Sequence, residues 1–281
     1  MTTLDCGGRA LDLSRTAIMG ILNITPDSFS DGGFFMAREL ALVHANKMVE
    51  EGADIIDVGG ESTRPGAQAV SIQEEMDRVI PVIEVLARAV AVPISIDTSK
   101  PEVMAAAVMA GAGLINDVRA LREPGAVEAA AALDVPVCLM HMQGAPRVMQ
   151  HDPTYEDLVR EVFEFLRGRI DVCVAAGIGR EQILVDPGFG FGKNVAHNLA
   201  LLRQLRKFRE LGVPILAGLS RKSLIGATLG LPVDQRVHAS VALALIAVQN
   251  GARVVRVHDV GATREAIRMW EAVYPSPGEG T

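Results

Sequence analysis

Apolar and polar positions along this chain alternate between two kinds of segment. Short β-branched runs occur at 17–22, 54–58, 93–96, 114–116, 136–140, 183–185, 214–217 and 253–257, each bounded by Gly, Pro, Asp or Asn, which is the pattern of buried strands. Between them lie stretches with helical spacing. The clearest puts Ile72, Met76, Val79, Ile80, Ile83 and Leu86 on one stripe. Pro101 and Pro124 fall where a first helical turn tolerates proline. Strand–helix alternation predicts parallel strands joined by crossovers. Eight such units predict an α/β fold of the (β/α)8 TIM-barrel type, with an open doubly wound sheet as the alternative. The length of 281 residues is close to the roughly 250 of one such barrel. No Ser/Pro-rich linker divides residues 1–281, so a single domain is expected. Residues 4–13 predict a small hairpin capping the barrel's bottom.

Each run ends in chemically capable residues: Asn23, the turn from Glu61 to Arg64, Asp97, Asn116, His141, Asp186, the turn from Ser220 to Ser223, and Arg256 with His258. Barrels build their active sites at this end of the strands. A lone strand-end Asp usually caps the next helix or satisfies turn amides. Asp97 and Asp186 together with Asn116, at corresponding ends of different strands, point instead to a site. A metal is one use for them, yet the six histidines are scattered with no HxH or HxxxH spacing. A flat heterocycle suits them better. A carboxylate accepts two parallel N–H bonds from an amidine-like edge, and an Asn amide reads the adjoining donor and acceptor. The 2-amino-4-oxo-pyrimidine of a pterin or guanine offers such an edge, at about 1.5–3 kcal/mol per charge-assisted bond.

The cations follow a similar logic. Two residues apart on a strand, Arg256 and His258 share a face, after the eighth strand, where barrels commonly hold phosphate. The GLSRKS turn from Gly218 to Ser223 opens a helix whose free amides suit a carboxylate or phosphate. Lys222 within it is open to three uses: a ligand contact, a Schiff-base lysine or a solvated cation. The glycine-rich DPGFGFGKN run at 186–194 lacks P-loop spacing and suggests close backbone approach to a flat ligand, with Phe191 as a lid. The loops at 23–33 and 59–66 are rich in Gly, Pro, Ser and Asp and longer than plain connectors, so they are expected to be mobile lids. Pro65 pushes Arg64 into an extended conformation.

Composition narrows the class. At 49% hydrophobic but 4% aromatic, the core is aliphatic, as barrel interiors mostly are. Three cysteines without CxxC spacing suggest a reduced, cytoplasmic protein. The first fifteen residues lack the apolar core of a signal peptide. The longest apolar stretches, near 103–115 and 241–248, are too short or too interrupted to span a membrane. A net charge of −7 argues against a general nucleic-acid surface. An acidic chain that gathers Arg64, Arg221, Lys222, Arg256 and His258 at one rim focuses a field suited to a small anion.

Taken together, NITPDSFSDGG, GGESTRPG, ISIDTSKP, LINDV, LMHMQG, DPGFGFGKN, GLSRKS and RVHDV resemble the dihydropteroate synthases nearly end to end. The resemblance implies a barrel, usually a homodimer, that joins 6-hydroxymethyl-7,8-dihydropterin pyrophosphate to p-aminobenzoate. It implies pterin contacts at Asp97, Asn116, Asp186, Lys222, Arg256, Met140 and Gly218, with Asp97, Lys222, Arg256 and His258 acting in catalysis. Asn23 would be a ligand of Mg2+ beside the pyrophosphate. Phe29, Asp31, Thr63, Arg64, Pro65, Phe191 and Ser223 would form the p-aminobenzoate pocket and its lids, where sulfonamides would compete. A pterin-binding methyltransferase domain, a Schiff-base aldolase using Lys222 and a pterin-binding paralogue without turnover are the competing readings.

Overall fold

The structure, a computed structural model, describes residues 3–24, 33–62, 69–144 and 153–274. Eight parallel strands form its sheet: β3 (Ala17–Asn23), β4 (Ile55–Gly59), β5 (Ile94–Asp97), β6 (Leu114–Asp117), β7 (Val137–Met140), β8 (Ile183–Asp186), β9 (Leu216–Ala217) and β10 (Val254–Val257). Their order is β8-β7-β6-β5-β4-β3-β10-β9. The remaining seam closes through a parallel bridge between Val185 and Ile215, where the Val185 amide donates to the Pro214 carbonyl at 3.0 Å. The closed barrel, not the open sheet, is therefore the fold.

Each predicted strand is present within a residue or two of its expected ends, except that β9 shortens to two residues because Pro214 has no N–H to give the ladder. The crossovers carry α1 (Gly33–Glu50), α2 (Ile72–Ala89), α3 (Pro101–Ala110), α4 (Ala126–Leu133), α5 (Leu158–Ala175), α6 (Val195–Arg203), and α7 (Ser223–Leu229) followed by α8 (Val237–Gln249), while α9 (Val260–Val273) ends the described chain. The Ser71 side chain accepts from the Glu74 amide and starts α2, which buries Val79, Ile83 and Leu86 of the expected stripe together with Val82. Ile72, at the stripe's edge, is exposed. Pro101 does occupy the first turn of α3. Pro124 does not belong to a helix, because Gly125 at φ 81° caps α4 one residue later.

The predicted hairpin forms from β1 (Thr3–Asp5) and β2 (Ala10–Asp12), paired antiparallel. It plugs the bottom of the barrel. Leu4, Cys6, Leu11 and Leu13 pack with Ala17, Met19, Ile55, Leu114, Cys138, Leu184, Leu216 and Val254, all buried and all near strand starts. Gly113 permits this contact, since a Cβ there would meet the Cys6 carbonyl oxygen at 2.0 Å. The second, larger core lies between barrel and helices and takes the opposite strand faces, including Ile18, Ile56, Val58, Ile94, Ile96, Ile115 and Val255.

Candidate active site

Strand alternation decides what reaches the top of the barrel. With the hairpin-facing residues Met19, Ile55, Leu114, Leu184, Leu216 and Val254 pointing inward, period two brings Asp57, Asn116, Asp186, Gly218 and Arg256 inward one layer higher. Above them come Asn23, Gly59, Asp97 and His258. Strand register sets Asn23 beside Gly59, and Gly59 beside Asp97. With no side chain at Gly59, a Cβ there would lie 3.5 Å from Asn23 Oδ1 and 3.6 Å from Asp97 Cβ.

Arg256 ties the layers together. Its Nε donates to Asp57 Oδ2 at 2.5 Å and one terminal nitrogen to Asp97 Oδ2 at 2.7 Å. The Asn116 amide donates to the same Asp57 oxygen at 3.1 Å. Gly218 adjoins both Arg256 and Asp186: a Cβ there would lie 3.8 Å from Arg256 Cβ and 3.9 Å from Asp186 Oδ2. The Asp186 carboxylate accepts the Gly188 amide at 2.7 Å. Met140 is the register partner of Asp186 and packs with Val118, Met142 and the half-buried Phe191, giving the pocket an apolar wall.

Burial of these charges shifts their protonation. It pushes the Asp97 carboxyl up to about 7, opposed by Arg256 and reinforced by Asp57. It raises Asp186 as well, against the pull of Lys222. Burial brings the Lys222 ammonium down to about 8, with Asp186 resisting. Burial also works against the Arg256 charge, but Asp57 and then Asp97 outweigh it, so the guanidinium is held firmly protonated.

On the opposite side of the pocket, Lys222 donates to the Phe189 carbonyl and lies 4.5 Å from the centre of the Phe191 ring, a cation–π contact. Ser220 Oγ pairs with His258 Nδ1 at 3.0 Å and accepts the His258 amide at 3.2 Å, which fixes the imidazole at the end of β10. Ser223 is exposed at the start of α7. Phe29, Asp31, Thr63, Arg64 and Pro65 lie outside the described residues.

Two expectations need correction. Arg221 is not available at the rim: it forms a bidentate pair with Asp259, its Nε donating at 2.9 Å to one carboxylate oxygen. His141 turns away from the site into a buried contact with Lys193, Nδ1 to Nζ at 2.9 Å. The glycine-rich run approaches the neighbouring strand end, because a Cβ at Gly188 would meet the His141 carbonyl oxygen at 1.8 Å. Asn194, at the end of that run, caps α6 by accepting the His197 amide at 2.8 Å.

Two residues escaped the sequence reading. Lys193 is almost wholly buried and donates to the carbonyls of Gly188 and Phe191 at 2.9 and 3.0 Å. It thereby holds the loop that presents Phe191. Burial pushes its ammonium down to about 7, and burial followed by the Lys193 charge takes His141 down to about 2. Asp57 is the other. Its signal was available, since in the run Ile55-Ile56-Asp57-Val58 the acid shares the face of Ile55, toward the barrel axis.

The family of pterin binding enzymes matches the chain over residues 19–258. A dihydropteroate synthase of Haemophilus influenzae is 55% identical over 269 residues, covering 96% of this chain and 98% of that protein. The solved structure of Xanthomonas albilineans dihydropteroate synthase with 4-aminobenzoic acid superposes with a TM-score of 0.93 at 56% identity, covering 98% of this chain and 99% of the other. The Yersinia pestis dihydropteroate synthase in complex with a sulfonamide drug gives 0.93 at 54% identity, covering 98% and 100%. With the match running nearly end to end and the barrel shared, the chain belongs to the dihydropteroate synthase family.

Proposed function

We propose that the chain joins 6-hydroxymethyl-7,8-dihydropterin pyrophosphate to p-aminobenzoate, giving 7,8-dihydropteroate and pyrophosphate, and that the pyrophosphate leaves before the amine bonds. The observation that carries this is Arg256, bonded to both Asp57 and Asp97 where Asn116, Asp186 and Gly218 converge. An acid-and-amide floor meets a cation in one pocket. Asp97, Asn116 and Asp186 grip the N–H edge of the pterin, and Met140 lies against its ring. Lys222 stands between pterin and p-aminobenzoate, while Arg256 and His258 hold the pyrophosphate.

Departure breaks the methylene C–O bond with its electron pair going to pyrophosphate. The resulting methylene-pterin cation is stabilised by ring resonance and by the Asp97 carboxylate. An arylamine is a weak nucleophile, so forming a strong electrophile first removes the need for a general base. The amine nitrogen then bonds the methylene carbon and releases its proton to water. Phe191, Ser223 and the lid residues Phe29, Asp31, Thr63, Arg64 and Pro65 form the acceptor pocket, with Ser223 at the p-aminobenzoate carboxylate, an orientational gain. Sulfonamides, which mimic p-aminobenzoate, take the same pocket.

Magnesium fits this site as an ion shared with the substrate. Among the described residues no group of three or more His, Cys, Asp or Glu side chains can hold a metal, and Mg2+ commonly uses few protein ligands plus substrate phosphates. Asn23 would be the protein oxygen beside it, where the ion would offset the charge on the leaving pyrophosphate. A homodimer belongs to the same reading, and the exposed Met269, Val273 and Tyr274 at the end of α9 are apolar surface of the kind such a contact covers. A cytoplasmic setting suits the three buried, free cysteines. No helix of the described residues is long and apolar enough to cross a membrane.

Positional isotope exchange tests the order of steps. With 18O in the bridging position, scrambling in recovered pterin pyrophosphate without p-aminobenzoate is expected. Cleavage strictly dependent on the amine would replace this path with direct displacement.

A further inference from the structure

We propose that Asp57 is a positioning residue of the condensation: a stationary buried anion that keeps Arg256 and Asn116 in place while Asp97 changes partners from Arg256 to the pterin. The proposal rests on the synthase reading above.

The two carboxylates on Arg256 differ in what can reach them. The Asp97 side chain is 11% exposed and that of Asp57 0%, so an incoming ligand meets Asp97 and not Asp57. Once the pterin edge claims Asp97, Arg256 loses one acceptor. Its Nε bond to Asp57 at 2.5 Å remains, and the guanidinium keeps its angle while the released N–H groups turn to the pyrophosphate. Arg has donors enough for both tasks, in a rigid planar fork. The same Asp57 oxygen also accepts from Asn116, so one atom sets both a phosphate-side and a pterin-side residue.

A purely structural ion pair fits the contacts less well. Asp57 Oδ1 is buried and has no partner among the described residues, and neither has Ser95 Oγ, its register neighbour across β4 and β5. A buried carboxylate with one oxygen unpaired is costly, and well-packed apolar residues commonly stabilise such a position better than an ion pair. What the acid supplies in return is directional: both contacts made by Asp57 go to residues of the site. With Asp57 neutral, Asp97 would be the only one of these two carboxylates left to neutralise Arg256. The pterin would then have to compete with Arg256 for it.

The test compares Asp57→Asn with Ser95→Ala, a variant in the same buried layer whose hydroxyl makes no hydrogen bond among the described residues. The wild type is first assayed for dihydropteroate formation. A wild type that makes none contradicts the synthase reading, while 6-hydroxymethylpterin binding still reports on Asp57. The expected result for Asp57→Asn is a folded protein with kcat lower by about 100-fold, the scale of a small misplacement at a reacting centre. Its affinity for 6-hydroxymethylpterin should fall about tenfold, as loss of one charge-assisted bond implies, with KM for p-aminobenzoate unchanged. Ser95→Ala should retain wild-type kinetics. Wild-type kcat and pterin affinity in Asp57→Asn would overturn the proposal, as would losses that merely track the folded fraction. Should Asp57→Asn not fold, the wild type alone decides: the Arg256 Nε–H resonance, assigned by its loss in Arg256→Lys, should stay protected from exchange with and without pterin. Loss of that protection when pterin binds would overturn the proposal.

Discussion

A carboxylate that reads N–H groups must be charged, yet burial favours its neutral form, and Asp97 stands between these demands. Held up to about 7 chiefly by burial, it titrates in the range where the enzyme would work. The sign follows directly. Below about pH 7 the carboxyl gains a proton and can no longer accept two bonds from the pterin edge. Affinity for 6-hydroxymethylpterin should therefore fall as pH drops, approaching tenfold per unit, and level off above about 7. Calorimetry on this ligand, which carries no phosphate to titrate, would show it, and a flat profile down to pH 5 would assign Asp97 an ordinary carboxyl. Asp97→Asn should remove the pH dependence, weaken pterin binding by about 10–100-fold and slow turnover. KM for p-aminobenzoate should move much less, and unchanged turnover would exclude Asp97 from the chemistry.

At the level of elements, the barrel divides labour along its axis, with hairpin and apolar layer below and charged layers above. Leu11 is 1% exposed within the lower layer, far along the strands from the Asp97 end. Leu11→Ala should cost about 2–5 kcal/mol of stability while leaving KM for both substrates unchanged. A lowered midpoint in urea with wild-type kinetics would bear this out, and altered KM values would mean that the two ends are coupled. The strands were legible because each is a short β-branched run with a turn signal at both ends. Much of the pocket was legible too, since Asp97 and Asp186 end their strands and Asn116 stands one residue from the end of β6. Asp57 was not read because it sits mid-strand, where alternation and not position reveals its face. Arg221 and His141 were misplaced for the converse reason. Both end or follow a strand, but local partners, Asp259 and Lys193, claim them, and no spacing rule encodes a contact made between distant segments. Lys193 was hidden for the same cause, because its acceptors are carbonyls made available only by the fold of the 188–191 loop.

The whole molecule carries a net charge of −7, yet the pocket keeps a cation where an anionic substrate needs one. Asp57 and Asp97 hold Arg256 charged within the barrel, and Lys222 lies close enough to feel that charge. Two consequences can be measured. A sulfonamide should inhibit competitively against p-aminobenzoate, and a noncompetitive pattern would move the acceptor pocket elsewhere. The central claim concerns what the assembled pocket does. Purified protein mixed with 6-hydroxymethyl-7,8-dihydropterin pyrophosphate, p-aminobenzoate and magnesium should yield dihydropteroate and free pyrophosphate in equal amounts, with Arg256→Ala nearly inactive. Absence of dihydropteroate, or its formation undiminished in Arg256→Ala, would contradict the account.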